Sequence, residues 1–246
     1  MLLHPPATAK FHHLVAFGAG LQIKSHIQQL LATYPSIAHI TLVNRSLNAR
    51  LTSLLTDLRR EHPEVTFVAL STGDDEHRAL VEAAVRQADC ICCATSSTAP
   101  LFPSEWVRSG THVILVGSYK PEMAEVDTAL IRRARVVLVE SRSACAVEAG
   151  ELIAARVPQA GMVEVGELLR RAPAPASAGA DEKSWAWEPD APRVAEVLSA
   201  GTGDVTIFKS VGLGAQDVAI AVATVDRAME MGIGTMVPDF EYGSNA

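Results

Sequence analysis

A chain of 246 residues, 48% apolar and 20% charged, has material for one large or two small domains with real cores. Its formal charge of −7 excludes a general electrostatic attraction to nucleic acid or anionic membrane, while leaving room for a local basic pocket that takes a phosphate. No apolar run reaches the roughly 18 residues of a membrane span, and the opening MLLHPPATAKFHH has neither the basic start nor the apolar centre of a secretory signal, so a cytoplasmic protein with no membrane partner is expected.

Residues 1–12 read as a short tail. Then β-rich apolar runs alternate with helical periodicity: HLVAF (13–17), HITLV (39–43) and VTFVAL (65–70) are each followed by a helix pattern, and DCICCAT (89–95), HVILVG (112–117) and RVVLVE (135–140) come after them. The runs show little polar/apolar alternation, as strands covered on both sides do. This predicts the α/β class, a doubly wound parallel sheet with helices on both faces. Cys90, Cys92 and Cys93 point to alternating faces of the fourth run with no partner cluster, which reads as buried free thiols. The eight histidines lack HExxH or Cys/His spacing, so no metal is expected.

Residues 143–157, SACAVEAGELIAARV, look helical, whereas the Pro/Ala-rich stretch at about 171–193 reads as a loop or lid. DVTIFKSVGLG (204–214) returns as a strand and a glycine-rich turn, closing a domain over 13–214. Residues 215–246 hold a long helix stopped by Gly232 and, from about Thr235, an unpacked tail. The run VAIAVATV in that helix would expose a sizeable apolar face, which predicts self-association, a homodimer being one form of it, or poor solubility.

The first strand runs straight into Gly18-Ala19-Gly20 and a helix, so backbone N–H groups and a helix N-terminus face whatever anion enters the turn. A pyrophosphate suits it. Ile23 stands where a third glycine of a GxGxxG motif would be, so the setting of strand, turn and helix carries the reading. The second strand ends at Asn44, Arg45 and Ser46. An amide, a guanidinium and a hydroxyl suit a 2′-phosphate better than a free ribose, which favours NADP(H), with NAD(H) as the alternative.

Six segments, VAFGAGLQIKSHIQQLL, ITLVNRS, ADCICCATSSTAPLF, GTHVILVGSYKPEMAEVD, EAGEL and VTIFKSVGLGAQDVAIA, together resemble the ornithine cyclodeaminase/mu-crystallin family in order and spacing over about residues 13–232. The resemblance implies a Rossmann-type NAD(P)-binding domain and hydride transfer between an amine carbon and a nicotinamide. It implies that Gly18, Gly20, Leu21 and Gln22 approach the cofactor phosphates, and that Asn44 and Arg45 read the adenosine ribose. Thr95, Val116, Gly117 and Ser118 would line the nicotinamide side, Ser210 would touch the cofactor, and Val211 the substrate. The expected substrate is a small imine or amino acid.

Two departures from the family pattern bear on activity. Tyr119 stands where the cyclodeaminases carry an aspartate, and a phenol of ordinary pKa near ~10 is a poor base at neutral pH. Reduction of a ketimine or cyclic imine carboxylate is therefore expected in preference to ornithine cyclisation to proline and ammonia. The family's lysine and arginine for the substrate carboxylate belong to a segment ahead of the dinucleotide domain, and Lys24, Lys120 and Lys209 do not match them by motif, so no catalytic residue can be assigned. A truncated, non-catalytic NADP(H)-binding protein is the other expectation.

Overall fold

The computed structural model describes residues 2–173 and 185–235. Its first elements are β1 (His13–Phe17), α1 (Leu21–Thr33), β2 (His39–Asn44), α2 (Ala49–Glu61), β3 (Thr66–Ser71), α3 (Arg78–Gln87), β4 (Cys90–Cys93) and β5 (His112–Leu115). They continue with α4 (Thr128–Arg132), β6 (Ala134–Val139), α5 (Arg142–Glu148), α6 (Gly150–Ala154), β7 (Met162–Glu164), β8 (Leu169–Pro173), β9 (Trp185–Pro189), α7 (Ala191–Ala200), β10 (Val205–Lys209) and α8 (Gly214–Glu230).

Eight strands form one parallel sheet in the order β3-β2-β1-β4-β5-β10-β6-β7, so the expected doubly wound α/β architecture is present. The lack of alternation in the strands has its cause here. Val15, Phe17, Ile91 and Cys93 pack into a core on one face of the sheet, and Leu14, Ala16, Cys90 and Cys92 into a core on the other. All four cysteines are buried and free, and burial pushes the Cys90 thiol up to about 12. The helices bury stripes at helical spacing: Ile23, Ile27, Leu30 and Leu31 on α1, and Leu51, Leu54, Leu55 and Leu58 on α2, which Asn48 caps by accepting the Leu51 N–H at 3.1 Å.

Several features differ from the sequence reading. The 143–157 segment is two short helices, because a Cβ at Gly150 would lie 1.9 Å from the Met123 carbonyl oxygen and the backbone bends at Ala149 to make that approach. The 171–193 stretch is not simply a loop: its ends form the antiparallel pair β8 and β9 and the start of α7, while 174–184 lies outside the described residues. Only Ala172 of β8 is buried, which is why no periodic apolar signal marked the strand. β10, far along the chain, inserts between β5 and β6. Residues 1–12 were expected to be a tail, yet Leu3 and Phe11 are buried.

The chain divides into Met1–Val211, which holds the sheet, and Gly212–Ala246, which holds α8. Taken alone, α8 carries Val218, Ile220, Val222, Val225 and Met229, all exposed. The tail expected from about Thr235 lies, beyond that residue, outside the described residues. Among the described residues no helix is long and apolar enough to cross a membrane, and no group of three or more His, Cys, Asp or Glu side chains is placed to hold a metal ion.

Candidate functional site

The strand order reverses between β1 and β4, and a cleft of about 570 Å³ opens above the carboxyl ends of β1, β2 and β4 at that point. This is where an open α/β sheet takes its ligand. The β1–α1 turn forms the floor. Gly18 has φ +118°, and a Cβ there would stand 2.8 Å from the Ala94 carbonyl oxygen, so the turn excludes any side chain. A Cβ on Gly20, by contrast, would meet nothing within 4 Å. Gly20 caps α1 without a side chain, which leaves the first-turn N–H groups of α1 to bind an anion. Ile23, at the position of the missing third glycine, is buried in the core below.

A second wall of the cleft is built by the turn after β2. Asn44 donates its amide to the Ser46 carbonyl oxygen at 2.9 Å, and the Arg45 carbonyl oxygen accepts from the Ser71 hydroxyl at 2.9 Å and the Gly73 N–H at 3.1 Å. The turn is thus braced while the Arg45 guanidinium is left over. Arg45 and Arg50 both line the cleft, and neither guanidinium has a hydrogen-bond or ion-pair partner among the described residues.

On the far side, three carboxylates hold the strand-end turns. Buried Glu125 accepts from Thr95 and Gly117, the turns after β4 and β5. Burial pushes its carboxyl above the usual carboxylate range, while those donors and the Lys209 ammonium pull it back. Glu140, after β6, accepts the Ser210 hydroxyl at 2.8 Å and the Val211 N–H at 2.6 Å. Glu151 on α6 accepts from the Ser118 hydroxyl, and its Oε1, without a hydrogen bond, stands 3.5 Å from Lys209 Nζ. Lys209 itself is fully buried and donates to Ser118 Oγ at 2.7 Å.

The family model for ornithine cyclodeaminase/mu-crystallin proteins matches residues 7–177. The chain belongs to that family. It is 31% identical over 217 residues to the Delta(1)-pyrroline-2-carboxylate reductase of Colwellia psychrerythraea, an alignment covering 87% of this chain and 59% of that protein. It is 29% identical over 225 residues to ketimine reductase mu-crystallin of Mus musculus, covering 92% of this chain and 57% of that one. Among solved structures, Thermococcus litoralis Delta(1)-pyrroline-2-carboxylate reductase in complex with NADH and L-proline superposes with a TM-score of 0.68 at 18% identity, over 96% of this chain and 64% of that chain. The chain therefore spans less than two thirds of the length of these relatives.

In this ornithine cyclodeaminase/mu-crystallin family member, the residues singled out from sequence fall into three groups. Gly18, Gly20, Asn44, Arg45, Ser46 and Thr95 line the cleft together. Leu21 and Gln22 are exposed at the start of α1 beside it. Val116, Gly117, Ser118, Ser210 and Val211 are not among the cleft's lining residues; they follow β5 and β10, and Ser118 is completely buried with its hydroxyl engaged by Lys209 and Glu151. Tyr119 is half exposed, with Lys120 Nζ 5.7 Å from its ring centroid. No role was read from sequence for Arg50, Glu125, Glu140, Glu151 or Lys209, although Glu125, Glu151 and Lys209 stand inside the segments that carry the family resemblance, and a lysine ending a mostly apolar strand was a signal that could have been used.

Proposed function

We propose that this chain binds a nicotinamide dinucleotide in the cleft and serves an oxidoreductase that reduces a ketimine or cyclic imine carboxylate. The observation that carries the reading is the cleft over the β1/β4 reversal, with a glycine turn at its base and a helix N-terminus that no side chain caps. Gly18, Gly20 and the first N–H groups of α1 would hold the pyrophosphate, Asn44 to Ser46 the adenosine ribose, and the turn beginning at Thr95 the nicotinamide side. When bound, the cofactor supplies a hydride to the imine carbon. The protein's part is to bind and orient it.

The Arg45 and Arg50 guanidiniums, unpaired among the described residues, favour NADP(H) over NAD(H), because each can give a phosphate parallel charge-assisted hydrogen bonds. The substrate class follows the names of the relatives, Delta(1)-pyrroline-2-carboxylate reductase and ketimine reductase. Tyr119 supports reduction over ornithine cyclisation, since only the latter needs a carboxylate base. Titration with NADPH and NADH tests binding. NADPH oxidation with piperideine-2-carboxylate, set against ammonia release from ornithine, tests the chemistry, and brisk ornithine deamination would overturn the reductase reading.

A further inference from the structure

Glu125 carries no role in the reading above, yet its carboxylate joins two turns that come from different strands. Oε1 accepts the Thr95 N–H at 2.6 Å and the Thr95 hydroxyl at 2.9 Å, and Oε2 accepts the Gly117 N–H at 2.8 Å. The packing is close enough that a Cβ on Gly117 would lie 2.0 Å from the Thr95 carbonyl oxygen and 2.4 Å from Glu125 Oε1. Only glycine lets the three groups meet. The Thr95 hydroxyl, spent on Glu125, also receives the Ser97 N–H at 3.3 Å, so the 95–97 turn that lines the cleft is held from beneath.

The direction of a bound dinucleotide says which half this turn would serve. With the pyrophosphate over the Gly18 to Gly20 turn at the end of β1, and the adenosine toward Asn44 to Ser46 at the end of β2, the other half must run over the ends of β4 and β5. Those ends are the two turns that Glu125 ties together. The buried ammonium of Lys209 donates to Ser118, next to Gly117, and pairs with Glu151, and its charge adds to the Thr95 and Gly117 donors in drawing the Glu125 carboxyl down against burial.

We propose that Glu125 is a positioning residue for the nicotinamide half of the dinucleotide, fixing the spacing of the Thr95 and Gly117 turns, while the adenosine half binds independently of it. The inference rests on the dinucleotide reading. Glu125→Gln keeps the shape but replaces one acceptor oxygen by an NH₂ that must face a donor. The test titrates the wild-type chain, Glu125→Gln and Thr95→Val with NADPH and NADH and with the fragment of each that lacks only the nicotinamide, 2′-phospho-ADP-ribose for NADPH and ADP-ribose for NADH, and records thermal unfolding of each protein. Glu125→Gln is expected to weaken the reduced dinucleotide roughly tenfold or more while changing the affinity of the matching fragment less than about twofold. Thr95→Val, which removes one of three donors, should show a smaller loss with the same selectivity.

Unchanged affinity for both ligands, or parallel loss of both in a cooperatively folded variant, would overturn the proposal. If Glu125→Gln fails to unfold cooperatively, Thr95→Val decides, by selective loss or its absence. A wild-type chain that binds neither ligand would remove the dinucleotide reading and this inference with it, whereas one that binds both, alongside a Glu125→Gln that also binds both, removes only the role of Glu125.

Discussion

Gly18 and Gly20 sit two positions apart in one turn, but the physical reasons for them differ. Gly18 is required by the fold, since it combines φ +118° with a 2.8 Å approach to a backbone oxygen. Gly18→Ala should cost about 1–3 kcal/mol of stability, seen as a lower midpoint in urea unfolding. Gly20 has open space where its Cβ would be and an extended backbone, φ −93° and ψ 177°, that valine adopts readily. Gly20→Val should therefore fold normally and lose NADPH binding by calorimetry; a folded variant that binds as wild type would refute the pyrophosphate assignment. At the other end of the cleft, Arg45→Ala should weaken NADPH by roughly 1.5–3 kcal/mol, the scale of a hydrogen bond to a charged group, and leave NADH almost unchanged. Arg50→Ala should act in the same direction. Equal losses for both cofactors would mean that neither guanidinium reads a 2′-phosphate.

Short segments in this protein hold their conformation through partners far along the chain. The N-terminal segment is anchored to the sheet by two neutral imidazoles on one hydroxyl: His4 Nε2 lies 2.7 Å and His112 Nδ1 2.8 Å from Thr206 Oγ1. Tyr34 adds a hydrogen bond to the His4 carbonyl oxygen at 2.7 Å. Burial lowers the pKa of His4 from its ordinary 6.5 to about 4, and burial together with the neighbouring His4 lowers that of His112 as well. A folded-state pKa below the unfolded one favours the neutral ring, so this contribution is complete above pH 6.5 and lost as pH falls through about 4. Denaturant unfolding between pH 7 and pH 4 should show stability falling in that window, with His4→Gln reducing the slope. An unchanged slope would detach His4 from the effect. The break between α5 and α6 has the same long-range character, and Gly150→Ala should cost roughly 1–3 kcal/mol by overpacking against the 120–123 backbone.

At the scale of the whole molecule, the insertion of β10 between β5 and β6 brings the turn after β5, one late strand and α6 together around a buried charge pair. Lys209 and Glu151 are both inaccessible to solvent and 3.5 Å apart, with Ser118 between them. Removing one member leaves the other charged and unpaired in a low-dielectric interior. Lys209→Met should destabilise the protein by about 3–5 kcal/mol in chemical denaturation, and the double variant Lys209→Met/Glu151→Gln should recover part of that loss. A double variant no better than the single one would show that the lysine stabilises by packing rather than by charge.

The architecture was legible because its signals are local. Apolar runs without alternation announced strands covered on both faces, the 3.6-residue stripes announced α1 and α2, and Gly18-Ala19-Gly20 followed by a helix marked the turn above β1. Part of the cleft's lining could be read for the same reason, since Gly18, Gly20, Asn44, Arg45, Ser46 and Thr95 all stand at strand ends. What holds those ends in place was not legible. Glu125 lies 30 residues from Thr95 and Lys209 lies 91 from Ser118, and a carboxylate in a loop looks like any solvated charge until the fold buries it against its donors. The place of β10 in the sheet and the β8/β9 pair at the ends of the Pro/Ala-rich stretch were likewise decided by packing. Periodicity reports which face of an element is buried; it carries no information about which distant backbone will need a side chain to accept its hydrogen bonds.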